Sequence, residues 1–261
     1  MKFFGFRGGV HPPENKIQTE HLPIEKLESP NEIFVPLLQH IGAPLNPIVN
    51  VGDRVLKGQK IADAEGLAVP VHAPVSGTVT KIENRVYPLS GKVMTIFIEN
   101  DKKEEWAELT KIANWETADK KELLDIIREK GIVGIGGATF PTHVKLNPPP
   151  NTKLDSLILN GAECEPLLRV DQQLMSLYPD EIIAGLAAAG KQVQAQKMII
   201  GIKGKHKEVI NLLEERIKAL HLETSMKVHI LPDVYPAGDE HVLVHELTGR
   251  VVPEGGIPLA C

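Results

Sequence analysis

The stretch from Gly131 to Leu146, GIVGIGGATFPTHVKL, crowds Gly131, Gly134, Gly136 and Gly137 into seven residues and follows them with Phe140 and Lys145. Glycines leave backbone amides bare, so such a run lets a phosphate or a ring edge approach the chain. An aromatic face and a cation within reach suit a stacked, anionic ligand. Two phosphate patterns fail here. The dinucleotide fingerprint G-x-G-x-x-G breaks at its sixth position, Thr139, and it must follow a strand and open a helix, whereas a helical pattern precedes this loop. No Gly-Lys-Ser/Thr closes a P-loop. A tight interdomain turn, with glycines supplying positive φ, explains the same composition, and the residues alone leave both readings open.

Further along, Asn160 ends a predicted strand, the place where parallel sheets meet ligands. Glu163 and Glu165 stand two apart in a loop and cannot both be buried without cost, so at least one is expected to meet ligand or solvent. Cys164 lies between them and is read as structural. Gly238 opens a helical stretch whose N-terminus favours negative groups, and Asp239 and Glu240 in its first turn equally suit capping. His241 and His245 have i, i+4 spacing, but the H-E-x-x-H order is absent and no third ligand is evident, so no metal site is predicted. No triad is present, and no catalytic acid or base is assigned.

The elements that must position these residues fall into two kinds. From Pro47 to Asn100 the chain reads as short strands with turns at 51–53, 57–59 and 76–77. VGDRVLKGQ followed by APVSGTV resembles a biotinyl/lipoyl-carrier barrel-sandwich domain. The hairpin tip that would present the carrier lysine reads Asp63-Ala64-Glu65-Gly66-Leu67, so a structural domain is expected, not a swinging arm. Residues 101–116, which carry both tryptophans, read as a connection. A helix follows with Thr117 as candidate cap and Gly131 as stop. Beyond the proline turn at 148–150 come strands near 154–160, 197–203 and 227–232, alternating with helices near 179–195, 206–220 and 238–248. That order with short links implies a parallel sheet with helices against its faces. The first forty residues, rich in Pro and Gly, read as extended and irregular, with His11 beside Pro12 and Pro13 as a surface or packing residue.

Composition narrows the classes. The net charge of -5 argues against nucleic acid as the main partner, because phosphate backbones call for clustered Lys and Arg. Nothing approaches the roughly 18 consecutive apolar residues of a membrane span. The N-terminus shows no secretion signal, and a cytoplasmic setting is the default expectation. With two cysteines, Cys164 and Cys261, neither a disulfide framework nor a four-cysteine cluster is expected within this chain.

Three ordered stretches, GIGGATFPTHVK, LILNGAECEP and YPAGDEHVLVHELTG, resemble the motifs GRGGAGFPTGxKW, NADExEPG and YxCGEExAL of the flavin- and NADH-binding subunit of respiratory complex I and its relatives. The opening GFRGGVHPPENK and the carrier-type domain resemble one branch, the C subunit of the Rnf ion-translocating ferredoxin:NAD oxidoreductase complexes. The resemblance covers essentially the whole chain. It implies an α/β fold: an extended segment at 1–40, a barrel-sandwich domain without carrier lysine at 41–105, and a Rossmann-like FMN/NADH-binding domain at 116–261.

By resemblance, Gly134, Gly136, Gly137 and Ala138 approach FMN, Lys145 pairs with its negative charge, and Phe140 stacks on the nicotinamide nucleotide. Core packing remains the other reading of Phe140. Asn160, Glu163 and Glu165 would bond nucleotide hydroxyls or carboxamide, and Tyr235, Gly238, Asp239 and Glu240 match the third motif. Ala162 stands where complex I relatives carry Asp, which removes one acceptor.

The implied function is electron transfer between NADH and ferredoxin through FMN, coupled to ion movement. The implied setting is peripheral, on the cytoplasmic face of the bacterial membrane, with the other Rnf subunits as partners. The family's two 4Fe-4S clusters lie in a C-terminal region not in this sequence, so a truncated chain is expected. A flavin-dependent cobalamin reductase of propanediol microcompartments and a non-catalytic docking scaffold are the alternatives. Flavin binding would separate the scaffold from the others.

Overall fold

A computed structural model describes residues 8–88, 91–135 and 139–261. The chain divides into two compact units, Lys26–Pro150 and Asn151–Cys261, the latter including the N-terminal arm through Glu25.

The unit 26–150 holds seven strands: β1 (Glu32–Pro36), β2 (Asn46–Pro47), β3 (Arg54–Val55), β4 (Lys60–Asp63), β5 (Val71–His72), β6 (Gly77–Tyr87) and β7 (Gly91–Asn100). They form two antiparallel sheets, ordered β1-β7-β6-β3 and β2-β4-β5. The turns expected at 51–53 and 57–59 are there, with Gly52 at φ +94° and Gly58 at φ +78°, backbone that favours glycine, whereas Gly77 of the turn expected at 76–77 already opens β6, paired with β3 and β7. Period-two alternation sends Ile96 and Ile98 of β7 inward, where they meet Val35, Val55, Ile61 and Val79 in a core drawn from both sheets. Phe97 points to the other face. There it meets Phe34 edge-on at 5.0 Å, and the Arg85 guanidinium lies 3.9 Å from the Phe34 ring centre.

The segment read as a connection lies on this unit: Trp106 pairs with Lys57 in a parallel bridge, and Lys57 stacks over its indole. Helix α1 (Lys120–Glu129) is capped by Asp119, whose carboxylate accepts the Glu122 amide at 2.8 Å. The expected cap, Thr117, instead donates its hydroxyl to Asn114 O at 3.3 Å. Gly131 follows at φ +68°, as the stop signal required. Arg128 of α1 grips Asp63 at 2.7 Å and the Ala64 carbonyl at 2.8 Å. The hairpin tip where a carrier would present its lysine is thus fastened to a helix. A short helix, α2 (Thr142–Lys145), follows the glycine loop.

The unit containing 151–261 runs β8 (Ser156–Gly161), α3 (Val170–Leu177), α4 (Pro179–Val193), β9 (Lys197–Lys203), α5 (Lys207–Ala219), β10 (Met226–Leu231) and α6 (Glu240–Thr248). The three strands are parallel in the order β10-β9-β8, as the alternation implied. Central β9 is buried from Met198 to Lys203, and α4 and α6 pack on it while α5 packs on β10. Arg216 of α5 holds Asp180 of α4 through two bonds of 2.7 and 2.6 Å. Helix α3 lies outside the expected elements. Its buried face is built from Gln172 and Met175, with Gln172 donating to Gly161 O at 3.1 Å, so no aliphatic stripe marks it. Among the described residues, no helix is long and apolar enough to cross a membrane.

Candidate functional site

The first motif belongs to the unit 26–150. The loop is pinched at its base by Thr142 N donating to Ile132 O and by a Val133–Pro141 bridge. Gly134 N donates to Phe140 O at 3.0 Å. Among the described residues, a side chain at Gly134 would meet within 4 Å just that oxygen, at 3.8 Å. Phe140 is half-buried and Lys145, ending α2, is exposed. Gly136, Gly137 and Ala138 lie outside the described residues. A glycine backbone, followed by an aromatic and then an exposed ammonium, fits a phosphate or a flavin edge.

The second and third motifs meet in the other unit, at the carboxyl ends of the parallel strands. Asn160, at the end of β8, donates to Gly238 O at 2.8 Å and accepts the Ala162 amide at 3.2 Å. Cys164 Sγ accepts the Gly238 amide at 3.1 Å, which makes this thiol a structural bridge. A side chain at Gly238 would crowd Ala162 at 3.1 Å and both Asn160 and Cys164 at 3.3 Å. Glycine is therefore what lets the two loops close on each other. Asp239 caps α6, accepting the His241 and Val242 amides at 3.0 and 3.3 Å. Glu240 and half-exposed Tyr235 remain at the surface beside it.

The two acids divide as burial cost required. Glu165 is exposed. Glu163 is 6% exposed, accepts the Asp171 amide at 2.7 Å, and has its second oxygen 4.0 Å from Lys16 Nζ. Burial outweighs their attraction on both sides, raising the Glu163 carboxyl and lowering the Lys16 ammonium. Burial and the nearby Glu165 also raise Asp171.

A cluster that sequence reasoning missed adjoins this edge. Lys203, at the end of β9, is 2% exposed and pairs with Glu14 at 3.1 Å and Asp233 at 3.3 Å. Lys205 contacts the same two carboxylates. Burial works to raise Glu14, but the bonds from Lys205 and Lys203 overcome it and hold it at about 2. Buried His206 is pushed down to about 4, by burial first and then by Arg169 and Lys205. The available signal was Lys-Gly-Lys-His directly after a predicted strand, but charged residues at a strand end read equally well as solvated. Among the described residues, no group of acids, histidines and cysteines could hold a metal ion.

Residues 127–261 match the profile of the Nuo51 FMN-binding domain family, and residues 4–103 match that of the RnfC barrel sandwich hybrid domain. The C subunit of the proton-translocating ferredoxin:NAD(+) oxidoreductase complex of Clostridium ljungdahlii is 44% identical over 97% of this chain and 55% of its own length. The C subunit of the Na(+)-translocating ferredoxin:NAD(+) oxidoreductase complex of Acetobacterium woodii is 40% identical over 99% of this chain and 58% of its own. The C subunit of the ion-translocating oxidoreductase complex of Vibrio cholerae is 38% identical over 98% of this chain and 33% of its own. The chain thus spans a third to somewhat over half the length of these relatives.

Proposed function

The chain belongs to the Nuo51 FMN-binding domain family, joined here to an RnfC barrel sandwich hybrid domain, and on that footing we propose that it binds FMN and NAD(H). In this reading it serves as the peripheral subunit of an Rnf-type complex on the cytoplasmic face of the membrane. It passes electrons between NADH and ferredoxin, coupled to ion movement by the other subunits.

Bound FMN would supply the exchange of a hydride with NADH and of single electrons with one-electron carriers. This chain's residues supply binding and orientation. Gly134, with Gly136, Gly137 and Ala138, would let the flavin or its phosphate reach the backbone, and Lys145 would attract its negative charge. Phe140 would offer a face for stacking. At the strand ends of the Rossmann-like unit, exposed Glu165 would accept nucleotide hydroxyls, while Asn160 and Gly238 hold the loops that carry it. Glu163, turned inward to α3, would support that loop from behind. Two cysteines cannot hold a four-cysteine cluster, so one-electron carriers would be bound by other residues than these.

The observation that carries this reading is the junction of Asn160, Cys164 and Gly238, which joins the second and third motifs at the carboxyl edge of a parallel sheet, the edge at which such sheets generally bind ligands. Titrating FMN with the purified chain is expected to give saturable quenching of flavin fluorescence. Lys145→Ala should weaken FMN binding about tenfold, and Glu165→Ala should weaken NADH binding, titrated separately, by a similar factor, the effect of losing one charged contact. Absence of saturable quenching in the unmodified chain would reject flavin binding, and equal affinities in both variants would reject these contacts.

A further inference from the structure

The N-terminal arm crosses all three loops that leave the carboxyl ends of the parallel strands. Val10 and Tyr235 exchange two backbone bonds of 2.9 Å, which fastens the loop after β10. Glu14 takes Lys203 at the end of β9 and Lys205 of the loop after it. At the loop after β8 the contacts concentrate on two residues. Lys16 Nζ donates to Glu163 O at 2.5 Å, and Leu167 exchanges bonds with the arm, its amide donating to Glu14 O at 2.9 Å and its carbonyl accepting Thr19 Oγ1 at 2.6 Å.

Glu163 and Leu167 are also the two residues of this loop with left-handed backbone, at φ +42° and +66°. Such a conformation is unfavourable for side chains other than glycine and persists only where surrounding bonds impose it. Here the imposing bonds come from the arm, and exposed Glu165 sits midway between the two fastened residues. Lys16 itself is 5% exposed, so its ammonium has left water for this contact.

We propose that Lys16 is a positioning residue: together with the Glu14 carbonyl and Thr19 hydroxyl on Leu167, its bond to Glu163 holds the loop after β8 in its strained form and thereby presents Glu165 to the nucleotide. This rests on the nucleotide-binding reading above. Lys16 does not touch the ligand; it acts through the backbone that leads into Glu165.

The test compares the unmodified chain with Lys16→Met and Lys16→Arg. Two quantities are read: amide exchange at 162–168 without ligand, and affinity for FMN and NADH by fluorescence titration. Lys16→Met is expected to speed exchange at 162–168 at least tenfold while the amides of β9 stay protected, and to weaken nucleotide binding about tenfold. Lys16→Arg, which keeps the donor, should restore both. General loss of packing would not be rescued by the bulkier arginine. Faster loop exchange with unchanged affinity in Lys16→Met overturns the positioning role, as does unchanged exchange. If the unmodified chain binds neither FMN nor NADH, the functional reading fails and the proposal with it. That result is distinct from failure of the arm alone, in which the unmodified chain and Lys16→Met bind equally well.

Discussion

Replacing Glu14 by alanine is expected to destabilise the unit containing 151–261 by about 3 kcal/mol. Lys203 is 2% exposed and would keep only Asp233, itself half-exposed, as counter-charge. A buried ammonium stripped of its nearer carboxylate retains its desolvation cost and loses most of the attraction that offset it. The same bond predicts an acid limb. Glu14 is held at about 2, against 4.5 in the unfolded chain. Between those values the unfolded chain binds the proton and the folded one does not. The stabilisation is therefore present above about pH 4.5 and is lost as pH falls toward 2. His206, held at about 4 against 6.5, acts in the same direction over the higher window. Glu163, raised by burial, opposes them, since its stabilisation is present in acid and lost as pH rises through its folded value. Urea unfolding followed by amide exchange of β9 reads this unit by itself, because Trp106 and Trp115 both lie in the other unit. In Glu14→Ala the loss of stability below pH 4.5 should flatten. A steep limb persisting there, or a cost under about 0.5 kcal/mol, would show that Lys203 does not depend on Glu14.

Gly77→Ala is expected to cost the barrel unit about 3 kcal/mol, at the upper end for overpacking. Gly77 opens β6 and pairs with Asn100 of β7 on one side and Val55 of β3 on the other. A Cβ placed on it would lie 2.0 Å from the Glu99 carbonyl oxygen and 3.1 Å from Ile98 Cγ2. The obstacle is backbone in a paired strand, which cannot turn aside as a side-chain tip would. Relief requires β6 and β7 to part at the end of the sheet that closes over Ile96 and Ile98. Gly52→Ala is the control. Its φ of +94° disfavours a side chain, but nothing stands within 4 Å, so it should cost about 1 kcal/mol from backbone strain alone. Trp106, packed against Gly58 and Lys57, reports on this unit by fluorescence in guanidinium. Equal midpoints for the two variants would remove the steric argument.

Much of this was legible along the chain because it depends on neighbours a few residues away. Strand and helix periodicity placed β9 at 197–203 and α4 from Pro179, and the glycines at 52, 58 and 131 marked real turns. The spacing of Glu163 and Glu165 required that at least one of them be exposed, and Glu165 is. Local signals failed where the deciding partner was elsewhere. Helix α3 hides its face in Gln172 because the acceptor of that buried amide, Gly161 O, reaches it only in the fold. Thr117 is the cap expected from sequence, but its hydroxyl goes to the Asn114 carbonyl and Asp119 caps α1 instead. The N-terminal arm is the clearest case. Glu14 lies 189 positions from Lys203 and Lys16 147 from Glu163, and their types alone describe a solvated surface. Whether a charge is solvated or buried and paired is set by which distant segment arrives to meet it. Patterning over a few residues therefore specified most of the elements of this chain, and resemblance supplied its motif residues. That a charged arm fastens the loop carrying the exposed acid Glu165 emerged only when segments far apart in sequence came together.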